Sequence, residues 1–226
     1  MIALRFLRQL ALLAVVSGFV VFSAGSSAAQ TASVQIIHNS ADPALQWLDL
    51  YLDDTLVADS LLFRFATPYL DVPAGSIIEA GLAPLNSTGP QDIFKKIPIS
   101  LEGDKQYILV IGGVLDPGSF KKNPDGLSTE LTILVRETKN KADAAGASEY
   151  LFVNGATDAS GLSFFPGTST ALAEGVGYGS SSDYISFDQF IYTMGVAPTT
   201  ATARLLGFFD LDVGFLQNQA FTVLTS

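Results

Sequence analysis

The sequence predicts an all-β protein: two tandem antiparallel β-sandwich domains behind an N-terminal leader. Three observations carry this. Short apolar or alternating runs recur between Gly, Pro, Asn and Asp turns, about every 8–12 residues, which is the spacing of sandwich strands. No helical period of respectable length appears after the leader. The stretch Val34–Tyr51, VQIIHNSADPALQWLDLY, also returns in degenerate form from Glu149 as EYLFVNGATDASGLSFF.

The repeat has a definite offset. Asn39 and Asn154 stand 115 residues apart (154 − 39), and at that offset Ala41 meets Ala156, Val57 meets Leu172 and Tyr69 meets Tyr184. Near Leu50–Tyr51 the offset slips to 114, which sets Phe164–Phe165 opposite them and Phe221 opposite Tyr107. Solenoid repeats run about 20–50 residues, so a period this long reads as a duplicated domain. In this alignment Val153 stands where the first copy has His38.

Residues 1–29 read as a secretory signal. Arg5 and Arg8 form the positive n-region, Leu10 to Phe22 the apolar h-region, and Ser27-Ala28-Ala29 a small-residue cleavage site before Gln30. The apolar core falls short of the roughly 20 residues that span a bilayer. No second run is long enough, so no transmembrane segment is expected and the protein is expected to be exported, to the extracellular space, the cell surface or the periplasm.

The first sandwich is assigned to residues 30–138. KNKADAAGAS, small and charged, is a linker over 139–148. The second sandwich, 149–226, is degenerate and incomplete, because nothing in it corresponds to Thr129–Val135. Its last strand, Gln217–Leu224, is thus expected to leave an open sheet edge suited to self-association. The two domains are expected to unfold as separate units with few contacts between them.

Composition narrows the function classes. Of 226 residues, 48% are hydrophobic and only 15% charged, which argues against disorder. There is no Cys, so no disulfide or lipid-anchoring thiol is available, and each sandwich must rely on its own apolar core. The formal net charge is −10, and loss of Arg5 and Arg8 with the leader would make it −12. Such a field repels nucleic acid, so no nucleic-acid partner is expected.

The elements follow in order. Val34–Ile37 is a short buried strand, His38 to Pro43 a polar loop. Trp47–Leu52 alternates, with Leu48, Leu50 and Leu52 on one face and Trp47, Asp49 and Tyr51 on the other. Asp53-Asp54 turns into Thr55–Ala58. Pro68–Val72 and Ser76–Leu82 flank a Pro73-Ala74-Gly75 turn. Ile93–Leu101 is an edge strand because it contains Pro98. Gln106–Ile111 is a continuous apolar run suited to a central strand. Gly112–Gly126 is a long loop, and Thr129–Val135 closes the first domain. The second copy reads as Tyr150–Val153, Leu162–Phe165, Thr170–Ala173, Tyr184–Phe187, Phe190–Val196, Thr200–Phe208 and Gln217–Leu224.

The runs IIHNSADP…LDLYLDD, YLDVPAG and ISLEGDKQYILVIGG resemble the bacterial extracellular family catalogued as domain of unknown function 4397. That family shows a His-Ala-Ser-Pro-Asp-Ala-Pro loop, a Val-Asp-Val-Tyr strand and a Pro-Ala-Gly turn. His38, Ser40, Asp42, Asp49, Tyr51, Pro73, Ala74 and Gly75 sit at the corresponding places, while Asn39 and Ala41 depart from the pattern. The resemblance implies a secreted, often tandem, immunoglobulin- or transthyretin-like sandwich. It transfers no catalytic residue, and the matching positions are expected to be structural.

The residues with chemistry support the same reading. His38 is the only His, so structural zinc is not expected. As a catalytic base His38 would have to serve Ser40, two residues away, with no G-x-S-x-G elbow anywhere. The simplest partner for His38 is the carboxylate of Asp49, which needs one if its face is buried. No cofactor is expected. Calcium at Asp53-Asp54, at Asp116 and Asp125, or at Asp210 and Asp212 is the alternative, although none matches an EF-hand loop. Trp47 with Tyr51 and Phe63 is a candidate sugar platform. The expected function is a non-enzymatic envelope or extracellular module with a structural, adhesive or protein-interaction role. The alternatives are a glycan- or cation-binding module and, behind it, a carboxylate hydrolase.

Overall fold

The computed structural model describes residues 30–167, 170–187, 191–201, 205–212 and 216–226. The leader lies outside the described residues. The described residues are all-β, in four sheets. The first half supplies β1 (Thr31–His38), β2 (Trp47–Leu52), β3 (Thr55–Leu62), β4 (Leu70–Pro73), β5 (Ile77–Pro84), β6 (Lys95–Ser100), β7 (Gln106–Gly112) and β8 (Thr132–Thr138). The second supplies β9 (Ser148–Asn154), β10 (Leu162–Pro166), β11 (Ala173–Val176), β12 (Ile185–Phe187), β13 (Ile191–Pro198), β14 (Gly207–Asp212) and β15 (Ala220–Thr225).

The two halves are wired alike. Sheets β3-β2-β5-β6 and β4-β1-β7-β8 form the first sandwich, and β11-β10-β13-β14 and β12-β9-β15 the second. Each sandwich is antiparallel except for one parallel pair, β1 with β7 and β9 with β15. β6 is an edge strand, which accommodates Pro98 because a missing N–H costs nothing on the solvent side. Gly75 turns the chain between β4 and β5 at φ +85°, where a side chain would be strained, and its N–H is held by Leu101 O. The strand expected over Thr200–Phe208 is displaced. Thr199–Ala201 closes into a 3-10 turn, and the alternating run that pairs with β13 begins at Gly207.

The alternation seen in the sequence buries the expected faces. Val34, Ile36, Leu48, Leu50, Leu82 and Leu109 share the first core. Tyr150, Phe152, Phe164 and Met194 share the second, where Phe152 and Phe164 stack at 4.5 Å. Each such side chain contributes roughly 1.5–3 kcal/mol by leaving water.

A third core joins the halves, contrary to the expectation of few contacts between them. Ile37, Ile108, Val110 and Leu134 on the outer face of β4-β1-β7-β8 meet Leu151, Val153, Tyr184 and Leu224 on the outer face of β12-β9-β15. The central strands of these two sheets, β7 and β9, are buried on both faces. The continuous apolar runs YILVIG in β7 and YLFV in β9 are the sequence mark of that, because a strand with one wet face alternates and a doubly covered one does not. The assigned linker is also tied down. Lys139 pairs with Asp143 at 2.7 Å and with the buried Glu149 at 2.5 Å, and its N–H donates to Tyr184 Oη. Lys141 bridges to Gln219. Its small, charged composition indicated a loose tether, but Lys139 reaches Glu149 and the backbone at Lys141 pairs with Gln219 in the second half.

Candidate functional site

The loop between β1 and β2 runs over the end of the first sandwich, and every polar group the sequence singled out there has an internal partner. His38 closes β1 fully buried. Its Nε2 lies 2.6 Å from Leu45 O. A carbonyl only accepts, so Nε2 carries the proton. Nδ1 is then free to accept from Ser40 N–H at 3.3 Å. Burial lowers the imidazole pKa, and the hydrogen bond to Leu45 O opposes that only in part, so the ring is neutral. Phe63 packs edge-on to it at 6.0 Å. Ser40 Oγ donates to Gly113 O at 2.6 Å. Asp42 Oδ1 caps the 3-10 turn Pro43–Leu45 through Ala44 N–H at 2.9 Å, and its Oδ2 accepts from Leu115 N–H at 3.0 Å.

Asp49 is buried but does not pair with His38, contrary to expectation. Its Oδ1 accepts from Ser60 N–H at 2.8 Å and its Oδ2 from Ser87 Oγ at 2.6 Å, and Ser87 Oγ also meets Tyr51 Oη at 2.9 Å. β2 places Asp49 and Tyr51 on the outer face, whereas His38 points into the core with Val34 and Ile36. The two side chains thus leave their sheets in different directions. Tyr51 is likewise spent, and Pro73 and Gly75 serve the β4–β5 turn. Ser60 and Ser87 carry no sequence signal for this role, because Ser60 sits at a register shift within β3 and Ser87 in the loop after β5.

The second half builds the same corner with a different side chain. Ile37 bridges to Ala66 as Val153 bridges to Ser181. His38 N and O bond Phe65 O and Arg64 N, as Asn154 N and O bond Ser180 O and Gly179 N. Asn39 N donates to Ile111 O as Gly155 N donates to Thr225 O. The residue in the place of His38 is therefore Asn154, not Val153, and the offset here is one residue longer than the identity match suggests. Asn154 also copies the bonding: Oδ1 accepts from Ala156 N–H at 3.0 Å, two residues on, and Nδ2 donates to Val176 O at 2.9 Å. Both side chains present an acceptor and an opposed donor across a planar group.

What this scaffolding supports is a groove. A cavity of about 510 Å³ opens beside the loop, lined by Leu45, Trp47, Leu85, Phe94 and Leu115, with the amide residues Gln46 and Asn86 on its wall. Two of these wall segments are held by the motif, Leu45 through His38 and Leu115 through Asp42. Trp47, Leu85, Phe94 and Leu115 are each 39–47% exposed, which places four exposed large apolar side chains around one cavity. The sugar platform expected from Trp47, Tyr51 and Phe63 does not assemble. Tyr51 is buried and Phe63 faces His38, and the aromatic that joins Trp47 is Phe94. Phe94 sits in an irregular stretch just before β6, where no periodicity marks it.

Of the proposed calcium ligands, Asp53, Asp116, Asp125 and Asp210 accept internal hydrogen bonds, and the side chain of Asp212 lies outside the described residues. Asp53 Oδ1 accepts from Glu79 N–H, Asp116 caps the turn Pro117–Ser119, and Asp125 Oδ2 accepts from Gly161 N–H across the two halves. Asp210 accepts from Thr193 Oγ1. Among the described residues no three His, Asp or Glu are grouped to hold a metal ion.

No curated protein matches the sequence. A family model described as "Domain of unknown function (DUF4397)" matches residues 32–165, which run from β1 through β10 and so cover the first sandwich, the connecting segment and the first two strands of the second. With its loop, strand and turn motifs in place and more than half of its length matched, the chain belongs to the DUF4397 family.

Proposed function

We propose that this protein is an exported, non-enzymatic module of the cell envelope or extracellular medium, whose adhesive or interaction role is carried by the groove at Trp47. The observation behind the reading is how the polar groups are used. Both nitrogens of His38, both oxygens of Asp42 and both oxygens of Asp49 are committed to internal partners, so the motif braces a surface instead of presenting a nucleophile and a base. The braced surface is concave and apolar with two amides, the usual make-up of a recognition site. No helix among the described residues is long and apolar enough to cross a membrane. Export rests on the leader, and intact-mass measurement of secreted protein is expected to show a mature chain beginning near Gln30. Retention of Met1–Ala29 would overturn it.

A glycan is the second reading, favoured by Trp47 and Phe94 beside Gln46 and Asn86, since sugars stack on aromatic faces and bond to amides. Trp47 is the only Trp in the chain, so intrinsic emission reports on the groove directly. Titration with neutral oligosaccharides and with apolar peptides is expected to give a saturable emission change with one class, abolished by Leu115→Asp. Unchanged emission with both classes would sink the groove as the binding site. Turnover in a hydrolase panel that His38→Ala abolishes would sink the non-enzymatic reading.

A further inference from the structure

Two independent packing demands meet at the end of β9. The corner there needs a planar side chain with an acceptor and an opposed donor, and Asn154 supplies both. Its Oδ1 accepts from Ala156 N–H at 3.0 Å and from Thr225 Oγ1 at 3.1 Å, and its Nδ2 donates to Val176 O at 2.9 Å. The next residue must have no side chain. A Cβ at Gly155 would meet Thr225 O at 2.7 Å and, across the seam, the amide of Asn39. Together the two demands fix the dipeptide Asn-Gly, which occurs once in the sequence.

Asn-Gly is the dipeptide in which the asparagine amide is most easily attacked by the following backbone nitrogen. No Cβ obstructs the approach, and glycine turns freely into the conformation required. In that step Gly155 N loses its proton and bonds to Cγ of Asn154, the Cγ–Nδ2 bond breaks, and the proton leaves with the amide as ammonia. A cyclic imide remains. Water opens it at either carbonyl, giving an ordinary aspartate or one linked through its side chain. The net change is OH for NH2, with no oxidant or cofactor.

The folded protein resists each part of this. Asn154 is fully buried, and Gly155 is buried beside it. The proton that must leave Gly155 N is engaged by Thr225 O at 3.1 Å and Thr225 Oγ1 at 3.3 Å. Unfolding releases both residues, and the product then bars the return. A carboxylate at position 154 has no N–H for Val176 O and Ser160 O, which Asn154 Nδ2 serves at 2.9 and 3.4 Å, and it sets an unpaired charge in the interior. The side-chain-linked product adds a main-chain carbon at the end of β9, which shifts its ladder with β15.

We infer that Asn154–Gly155 is a deamidation site closed by the fold and opened by unfolding, so that it limits how long this chain can stay unfolded and still return. The equivalent corner of the first half, His38-Asn39, carries no Asn-Gly.

The test holds mature protein in mildly alkaline buffer with and without denaturing guanidinium, refolds it by dilution, separates it by size exclusion and maps its peptides by mass. The denatured sample is expected to gain about 1 Da on the peptide containing Asn154. Peptides containing Asn86, Asn140 and Asn218, which precede Ser, Lys and Gln, should stay unchanged over the same interval. The native sample should show no gain. The refolded fraction should contain only unmodified chains, and its yield should fall as the time unfolded grows. Asn154→His, which installs the first half's residue, should make the yield independent of that time. Equal modification of native and denatured samples overturns the proposal. So does a refolded fraction carrying modified chains in the proportion loaded, or an Asn154→His yield that decays as the wild type does. If Asn154→His does not fold, the composition of the wild-type refolded fraction decides alone.

Discussion

His38→Ala is expected to lower the free energy of unfolding by about 3 kcal/mol, the sum of a cavity and two abandoned backbone groups. Leu45 O loses its donor, Ser40 N–H loses its acceptor, and a ring-sized void opens beside Phe63. His38→Asn should recover about half of that loss, because the second half already builds this corner on Asn154 and the i+2 bond is within reach of an asparagine. Chemical denaturation of the three proteins checks the order. A catalytic histidine would show no such order, since Asn and Ala abolish base catalysis alike. The pH dependence has a definite sign. Burial holds the folded-state pKa of His38 below its ordinary value near 6.5. Below about pH 6.5 the unfolded chain therefore binds a proton that the folded protein refuses, and stability falls as pH drops toward the folded pKa, by at most about 1.4 kcal/mol per pH unit. Wild type minus His38→Asn should isolate this slope, which vanishes above about pH 7. Equal slopes in both proteins would refute it.

Val153→Asp is the second large effect. Val153 is fully buried between the halves with Val110 and Leu151, and a carboxylate there has no partner. The cost is expected to be on the order of 3–5 kcal/mol. The outcome goes beyond a lower midpoint. Wild-type residues 30–226 should melt in one calorimetric transition, because the third core makes each sandwich part of the other's burial. Val153→Asp should split the transition in two by uncoupling the halves. Two well-separated wild-type transitions would show that the interface is too weak to couple them. Polar contacts along the seam act in the same direction. Asn39 Nδ2 donates to Gly155 O and Thr225 O, and Asn123 Nδ2 to Thr157 O and Ala159 O. A Cβ at Gly155 would meet Thr225 O at 2.7 Å, so glycine permits the close approach there.

The all-β class, the sandwich form of each half and most strand positions were legible in the sequence, because alternation in β2 and continuous apolar runs in β7 and β9 are direct consequences of burial; the parallel pairing of β1 with β7 and of β9 with β15 was not. The seam was encoded too, in Ile37, Ile108, Val110, Leu151 and Val153, but a doubly buried strand does not say what covers its second face. The bonding of Asp49 was not legible, since any of several hydroxyls and N–H groups could satisfy a buried carboxylate and only the fold brings Ser60 and Ser87 to it. The equivalence of His38 and Asn154 was hidden by a better identity match one residue away, at Asn39. Sequence identity follows side-chain type, whereas the ladder follows which backbone groups pair, and the two diverge wherever one residue is gained or lost in a loop.

The parallel pairing of β1 with β7 has a kinetic consequence. Ser33 stands opposite Gln106, and in the second half Glu149 stands opposite Ala220, so each central ladder closes over a loop of about 70 residues. A chain emerging from its N-terminus must carry Thr31–His38, with Ala32, Val34 and Ile36 along one face, while its principal neighbour is still unmade until β7 appears. Loop closure precedes any reward from such contacts, so refolding should be slow, in the millisecond-to-second range of high-contact-order β proteins. The β2–β3 and β5–β6 hairpins are local and should form first, leaving β1 to be captured last between β4 and β7.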